Sequence, residues 1–314
     1  MAASAPDIFG DPSTAEPATP GSYGQAPRGF RLPSATHLGQ VVLQVSRLDT
    51  SLAFYQEVLG LRVVARDGAR ATLAAHDDDR PIIELRERPG ARPVPRRGCL
   101  GLYHYAILLP DRASLGRFVR HLADIGVRAG AGDHLVSEAF YLHDPDNLGI
   151  EVYADRSQST WRRIGRELMM ATDPVDVAGL LEAAGETRWS GMPAGTTVGH
   201  VHLHVGDLAK AADFYGDGLG FDRTAWHYPG ALFFGAGGYH HHLGTNTWAG
   251  ETRPAAEDEA RLLEWEVLVP SRRDADAALD SLAAAGATVE RGPDGGVARD
   301  PWGTLLRVRA TDLP

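Results

Sequence analysis

Residues 199–221, GHVHLHVGDLAKAADFYGDGLGF, repeat residues 39–61, GQVVLQVSRLDTSLAFYQEVLGL, at an offset of 160 residues without a gap, with 9 of the 23 positions identical. A duplication of this length constrains the chain more than any short motif, because each copy must bury the same apolar face. Each half divides again. After Gln40 the first half reads as an alternating strand, then a helix LDTSLAFYQEVLG with Leu52, Tyr55 and Leu59 on one face, then three strands ending near IIELRE. A Pro- and Arg-rich stretch at 88–98 separates this from a second unit of the same order, with strand YHYAILLP, helix SLGRFVRHLADIG and strand GIEVYAD. The second half repeats the plan through VGHVHLHV, ALFFGAGG, YHHHLG, LLEWEVLVP, DADAALDSLAAAG and TLLRVRA. Gln40 to His104 and His200 to Glu264 both span 64 residues, and His104 to Glu264 is again 160. The expectation is an α+β chain of four βαβββ modules that begin with Gln40, His104, His200 and Glu264 at matching positions.

One such module exposes the concave face of a small curved sheet, so two must pair to bury it and form a U-shaped, barrel-like cleft. Residues 36–154 and 198–314 each carry two modules, and 155–197 form an ordered linker with a helix at DPVDVAGLLEAAG begun by Asp173 and Pro174. Residues 1–35, rich in Pro, Gly, Ser and Ala, are expected as a disordered tail and lack the pattern of a signal peptide.

With 43% hydrophobic and 23% charged residues the composition is that of a globular chain, and no apolar run is long enough to span a bilayer. A formal charge of -10, with Lys210 the single lysine, offers no basic stripe for phosphates, so nucleic acid is not an expected partner. Cys99 is the only cysteine, which excludes an internal disulfide and any cysteine-built metal site and fits a reducing cytoplasm. Whether the chain forms a homo-oligomer is not written in these features.

The module order, with GHVHLHVGDL leading into FYGDGLGF, resembles the vicinal oxygen chelate superfamily of glyoxalases, bleomycin resistance proteins and extradiol dioxygenases, over about residues 36–310. More narrowly, YHYAILLP, DHLVSEAFYLHDPDNLGIEVYADR, GHVHLHV and GGYHHHLGTNTWAG are similar to the two-domain bacterial catechol 2,3-dioxygenases. In that superfamily the metal ligands come from the first and last strands of paired modules. The resemblance places Gln40, His104, His200 and Glu264 at the first-strand positions and Glu84, Glu151, His241 and Arg307 at the last-strand positions. Only the second and third modules then hold a dioxygenase set: His104, Glu151 and His200 as ligands of Fe(II), or of Mn(II), which suits the same donors.

Two histidines and one carboxylate on one face of the ion leave open positions for a small aromatic diol and O2, the substrates the resemblance implies. A histidine that does not ligate the metal would serve as acid and base toward the diol, and His241 is the candidate. Strand alternation would turn His240 and His242 to the opposite face, unless a bulge intervenes. The resemblance further implies that Tyr141, ten residues before Glu151, bonds a substrate oxygen, and that His134 stands beside the site. Two other readings remain open: a glyoxalase-type metal-dependent isomerase or lyase, which usually has a fourth protein ligand, and a metal-free protein that binds an aromatic antibiotic. A site shared by His104 and His200 requires module two to pack against module three, leaving module one to pair with module four. In that second cleft Arg307 is expected to replace the metal by pairing with Glu264 or Glu84.

Overall fold

A computed structural model describes residues 3–311. Sixteen strands of the four modules form two eight-stranded sheets. Module one contains strands His37–Val45, Arg62–Asp67, Arg70–Ala74 and Ile83–Glu87, with helix Leu48–Glu57. Module two contains Gly101–Leu108, Gly130–Asp133, Ser137–His143 and Gly149–Asp155, with helix Arg112–Asp124. Module three contains Thr197–His204, Asp222–Ala225, Ala231–Gly235 and Leu243–Asn246, and its helix starts at Leu208–Ala211 and widens into a π-helix over Ala212–Gly218. Module four contains Arg261–Val269, Val289–Gly292, Gly295–Arg299 and Leu305–Ala310, with helix Arg272–Ala284.

In every module the first strand runs parallel to the last, and in each sheet the first strands of two modules pair antiparallel at the centre. Gly101–Leu108 pairs with Thr197–His204, and His37–Val45 with Arg261–Val269. Module two therefore joins module three, and module one joins module four, as a shared site between His104 and His200 demands. Each sheet takes one module from each half of the chain.

The helices cover the outer faces and supply the core. Leu115, Phe118 and Leu122 of Arg112–Asp124 are buried at helical spacing, each such side chain contributing roughly 1.5–3 kcal/mol. This helix and Arg272–Ala284 start two residues earlier than their apolar patterns suggest. Asp111 accepts from Ser114 N at 2.6 Å, and Ser271 forms a capping box with Asp274. The linker helix runs over Val177–Ala184. Its N-cap is Asp176, which accepts from Gly179 N at 2.9 Å, rather than Asp173 or Pro174. It packs against Arg112–Asp124 at Gly116, where an added Cβ would lie 2.1 Å from the Leu180 carbonyl oxygen.

The expected disordered tail is corrected. Residues 1 and 2 lie outside the described residues, but from residue 3 the segment is packed: Ala3, Ala18 and Tyr23 are buried with Trp161, Met170 and Phe233. Glu16–Pro17 adds a strand to linker strand Arg162–Ile164, and Tyr23 donates to the Gly238 carbonyl at 2.6 Å. Its composition cannot build a core alone, yet a few apolar side chains suffice to dock it on a surface the modules have already formed. Among the described residues no helix is long and apolar enough to cross a membrane.

Candidate active site

The central strands of the sheet formed by modules two and three carry His104 and His200, and the adjacent last strand carries Glu151. Their donor atoms all lie within 4.8 Å of one another, and all three side chains are buried. His104 Nε2 is 3.0 Å and His200 Nε2 3.2 Å from the same oxygen, Glu151 Oε2. His104 Nε2 is nonetheless buried without a hydrogen-bond partner, and so is the other carboxylate oxygen, Glu151 Oε1. Such orphans are costly inside a protein unless something else satisfies them. Three lone-pair donors converging on one point fit a divalent cation.

The electrostatics agree. Burial disfavours the charged carboxylate of Glu151, but the neighbouring His200 and His104 imidazoles outweigh it and hold the carboxyl well below its ordinary range. Burial lowers His200 to about 4, and it pushes His202 and His241 well below the usual histidine range with help from surrounding imidazoles. An ionised Glu151 carboxylate beside a neutral His200 imidazole is the protonation state in which these two groups ligate a metal.

The cluster opens on a cavity of about 330 Å³ whose walls include Phe233, Trp248, Tyr228 and Met170. His134, Tyr141 and His241 also line it, so the six candidate ligand and catalytic residues are brought to one place. His134 Nδ1 donates to the Ala171 carbonyl at 2.7 Å, so its Nε2 accepts and the Tyr141 hydroxyl donates to it. The Tyr141 oxygen keeps a lone pair for a further donor.

The HHH run departs from expectation. Register puts Ala106 opposite Glu151 and His202 opposite Gly244, so the counterpart of Glu151 in module three is Gly244, not His241. A Cβ at Gly244 would lie 2.8 Å from His202 Cγ, so the glycine leaves room for that ring. His241 reaches the site from a bend that precedes strand Leu243–Asn246, its ring centroid 4.2 Å from that of His200. Because the bend is not a strand, alternation fails there. His240 and His241 turn their rings together, with Nδ1 atoms 2.6 Å apart, while His242 stacks on Phe221. Residues that escaped the sequence reading include Asp155, 2.8 Å from His240 Nε2, and the cavity-wall aromatics Tyr228, Trp248 and Phe233, the last with its ring centroid 5.0 Å from that of His241. None of them stands at a ligand position of the repeat, so spacing could not mark them.

A family model described as the Glyoxalase/Bleomycin resistance protein/Dioxygenase superfamily matches residues 37–152 and 197–308. The chain belongs to that superfamily. It is 45% identical over 271 residues to a catechol-2,3-dioxygenase of Bacillus subtilis (strain 168), an alignment covering 85% of this chain and 94% of that protein. It is 27% identical over 161 residues to biphenyl-2,3-diol 1,2-dioxygenase 3 of Rhodococcus globerulus, covering 50% of this chain and 84% of that one. Among solved structures, glyoxalase I from Zea mays superposes with a TM-score of 0.53 at 16% identity, over 88% of this chain and 92% of that one, a likeness of fold.

Proposed function

We propose that this superfamily member is an extradiol ring-cleaving dioxygenase that opens a catechol-type aromatic with O2, and that His104, His200 and Glu151 hold one Fe(II). The observation that carries the reading is the buried two-histidine, one-carboxylate cluster facing a cavity lined by aromatic side chains, in a chain 45% identical to a catechol-2,3-dioxygenase. When bound, a ferrous ion supplies open positions at which the two vicinal oxygens of a catechol and dioxygen meet and exchange electrons. Mn(II) suits the same donors.

The chain's own residues do the rest. His241, neutral and buried, takes a hydroxyl proton from the diol and returns it later in the cycle. Tyr141, its own proton committed to His134, accepts a hydrogen bond from a substrate hydroxyl and orients the ring. Phe233, Tyr228 and Trp248 clamp the aromatic face and exclude water. A cavity of about 330 Å³ lies at the small end for ligand pockets and suits a single substituted ring. The glyoxalase-type alternative has less support, since the cluster among the described residues stops at three donors. A metal-free binding protein would leave Glu151 Oε1 and His104 Nε2 buried and unsatisfied.

The test is anaerobic loading with Fe(II), then air and a panel of catechols. A coloured ring-opened product with matching oxygen uptake is expected; retention of the diol intact by loaded protein would defeat the proposal.

A further inference from the structure

A base at His241 must present a nitrogen lone pair to the diol, and only one of the two neutral tautomers does so. The bonds behind the ring decide between them. His241 Nδ1 lies 2.6 Å from His240 Nδ1, and His240 Nε2 lies 2.8 Å from Asp155 Oδ1. A carboxylate oxygen only accepts, so His240 Nε2 carries a hydrogen, and in the neutral ring Nδ1 then carries the lone pair. The 2.6 Å contact is a hydrogen bond if His241 Nδ1 is the donor. His241 Nε2 is left with the free lone pair, on a ring that lines the cavity.

Asp155 is itself held in place. Tyr239 donates to Asp155 Oδ1 at 3.3 Å and lays its ring against His240, centroids 4.1 Å apart. Tyr153 and Tyr239 hydroxyls meet at 2.7 Å, a second tie to the module-two strand that ends in Asp155. The His240 side chain is 0% exposed and that of Asp155 29%, so the chain of bonds runs from the buried cavity to the solvent edge.

We propose that Asp155 and His240 are positioning residues that fix His241 as the Nδ1–H tautomer, so that its Nε2 is the atom that takes the substrate proton. This rests on the ring-cleavage reading. Asp155 ends the strand that carries Glu151, and His240 belongs to the bend beside His241, so the device spans both modules of the site. When His241 Nε2 accepts the diol proton, its Nδ1 proton moves to His240 Nδ1. His241 gains one N–H bond and loses one, and His240 gains one while its Nε2–H stays bonded to Asp155. The reverse shift returns the proton.

The experiment compares wild type, Asp155→Ala and Asp155→Asn in kcat, KM and metal content, and reads the His241 tautomer by proton–nitrogen correlation spectra of zinc-loaded protein labelled with nitrogen-15 histidine. In wild type His241 should carry its proton on Nδ1. Asp155→Ala should mix the tautomers and lower kcat by about 10- to 100-fold, with KM and metal content changed less than about twofold. Asp155→Asn, which keeps an acceptor oxygen, should recover most of that loss. A wild-type His241 protonated on Nε2 would overturn the proposal, as would an Asp155→Ala protein with unaltered tautomer and kcat, or one that loses KM and metal together with kcat. Protein that cleaves no catechol at all would instead defeat the reaction assignment, while the nitrogen spectra would still report on the tautomer.

Discussion

The cleft of modules two and three and the cleft of modules one and four share one register, yet they hold different chemistry at the same positions. In the first, His202 stands opposite His104 and Ala106 opposite Glu151; in the second, Val42 stands opposite Glu264 and Glu266 opposite Arg307. His104 and Glu151 thus correspond to Glu264 and Arg307, and both pairs meet, at 3.0 Å and 2.7 Å. What the contact can do differs. Arg307 closes its pair with two hydrogen bonds, Nε to Glu264 Oε1 at 2.7 Å and Nη2 to Oε2 at 2.8 Å, and satisfies the carboxylate itself. Around Glu151 the imidazoles leave donor atoms within 4.8 Å of one another, an arrangement that could hold a cation.

The covers differ as well. Met170, Ala171 and Thr172 of the linker wall the active cavity, and Thr172 N donates to the Ala3 carbonyl. Gln40, Glu84, Glu264 and Arg307 all remain half-buried. Duplication supplies ligand positions to both clefts; reactivity needs the right side chains and a cover that keeps water out, because electrostatic interactions strengthen when water is excluded.

The comparison breaks most directly at the ligands. Alanine at His104, His200 or Glu151 should reduce the metal from about one ion per chain to almost none and abolish ring cleavage while circular dichroism stays native. Full occupancy in His104→Ala, by elemental analysis, would remove the distinction between the clefts. Next in size, His241→Ala should retain the ion and lose about 100- to 10,000-fold in kcat. Loss of the ion in that variant would make His241 a ligand.

The silent cleft offers the converse experiment. Gln40→His, Glu264→His and Arg307→Glu combined should create a second site, seen as a weaker second phase in metal titration; a single phase would mean that register alone does not confer a site. Arg307→Leu alone should leave ion content and kcat unchanged and cost about 1 kcal/mol or less in urea unfolding, since the pair is partly exposed.

A smaller effect tests a feature both halves share. Tyr55 donates to Asp144 at 3.2 Å, joining modules one and two, and Tyr215 donates to Asp300 at 2.8 Å, joining modules three and four. Burial pushes Asp144 from 3.8 up to about 7, so between those values the folded chain holds a proton that the unfolded chain has released. Stability contributed by this group therefore falls as pH rises through that window. Asp144→Asn should flatten the stability profile between about pH 4 and pH 7 in urea melts; an unchanged slope would show that the carboxyl titrates as it does in the unfolded chain.

Much of this was legible before any coordinates. Strand and helix periodicity gave the four modules, and equal spacing put His104 and His200 at corresponding positions, because a repeat keeps its residues in phase with its strands. The misreadings share a cause. The resemblance places His241 at a last-strand position, but the bend at 240–242 sits ahead of the ladder and Gly244 holds the register position. Alternation would have separated His240 from His241, whereas the bend brings them together. Residues 3–35 had the composition of a tail, and it is contact with Trp161, Met170 and Phe233 that orders them.

Residue type and local period are properties of a short stretch of chain, and they determined the duplicated scaffold and its matching positions, onto which the family resemblance set the candidate ligands and with them the cross-pairing that a shared metal would require. Distances between residues far apart in sequence are not. That Glu151 Oε2 meets two imidazoles, that Arg307 closes on Glu264, that a linker backed by the N-terminal segment walls one cleft, and that Asp155 stands behind His240 were decided by the tertiary structure. Each depends on how separately folded modules are brought together, where an ångström decides whether buried donors share a cation, a proton or a salt bridge.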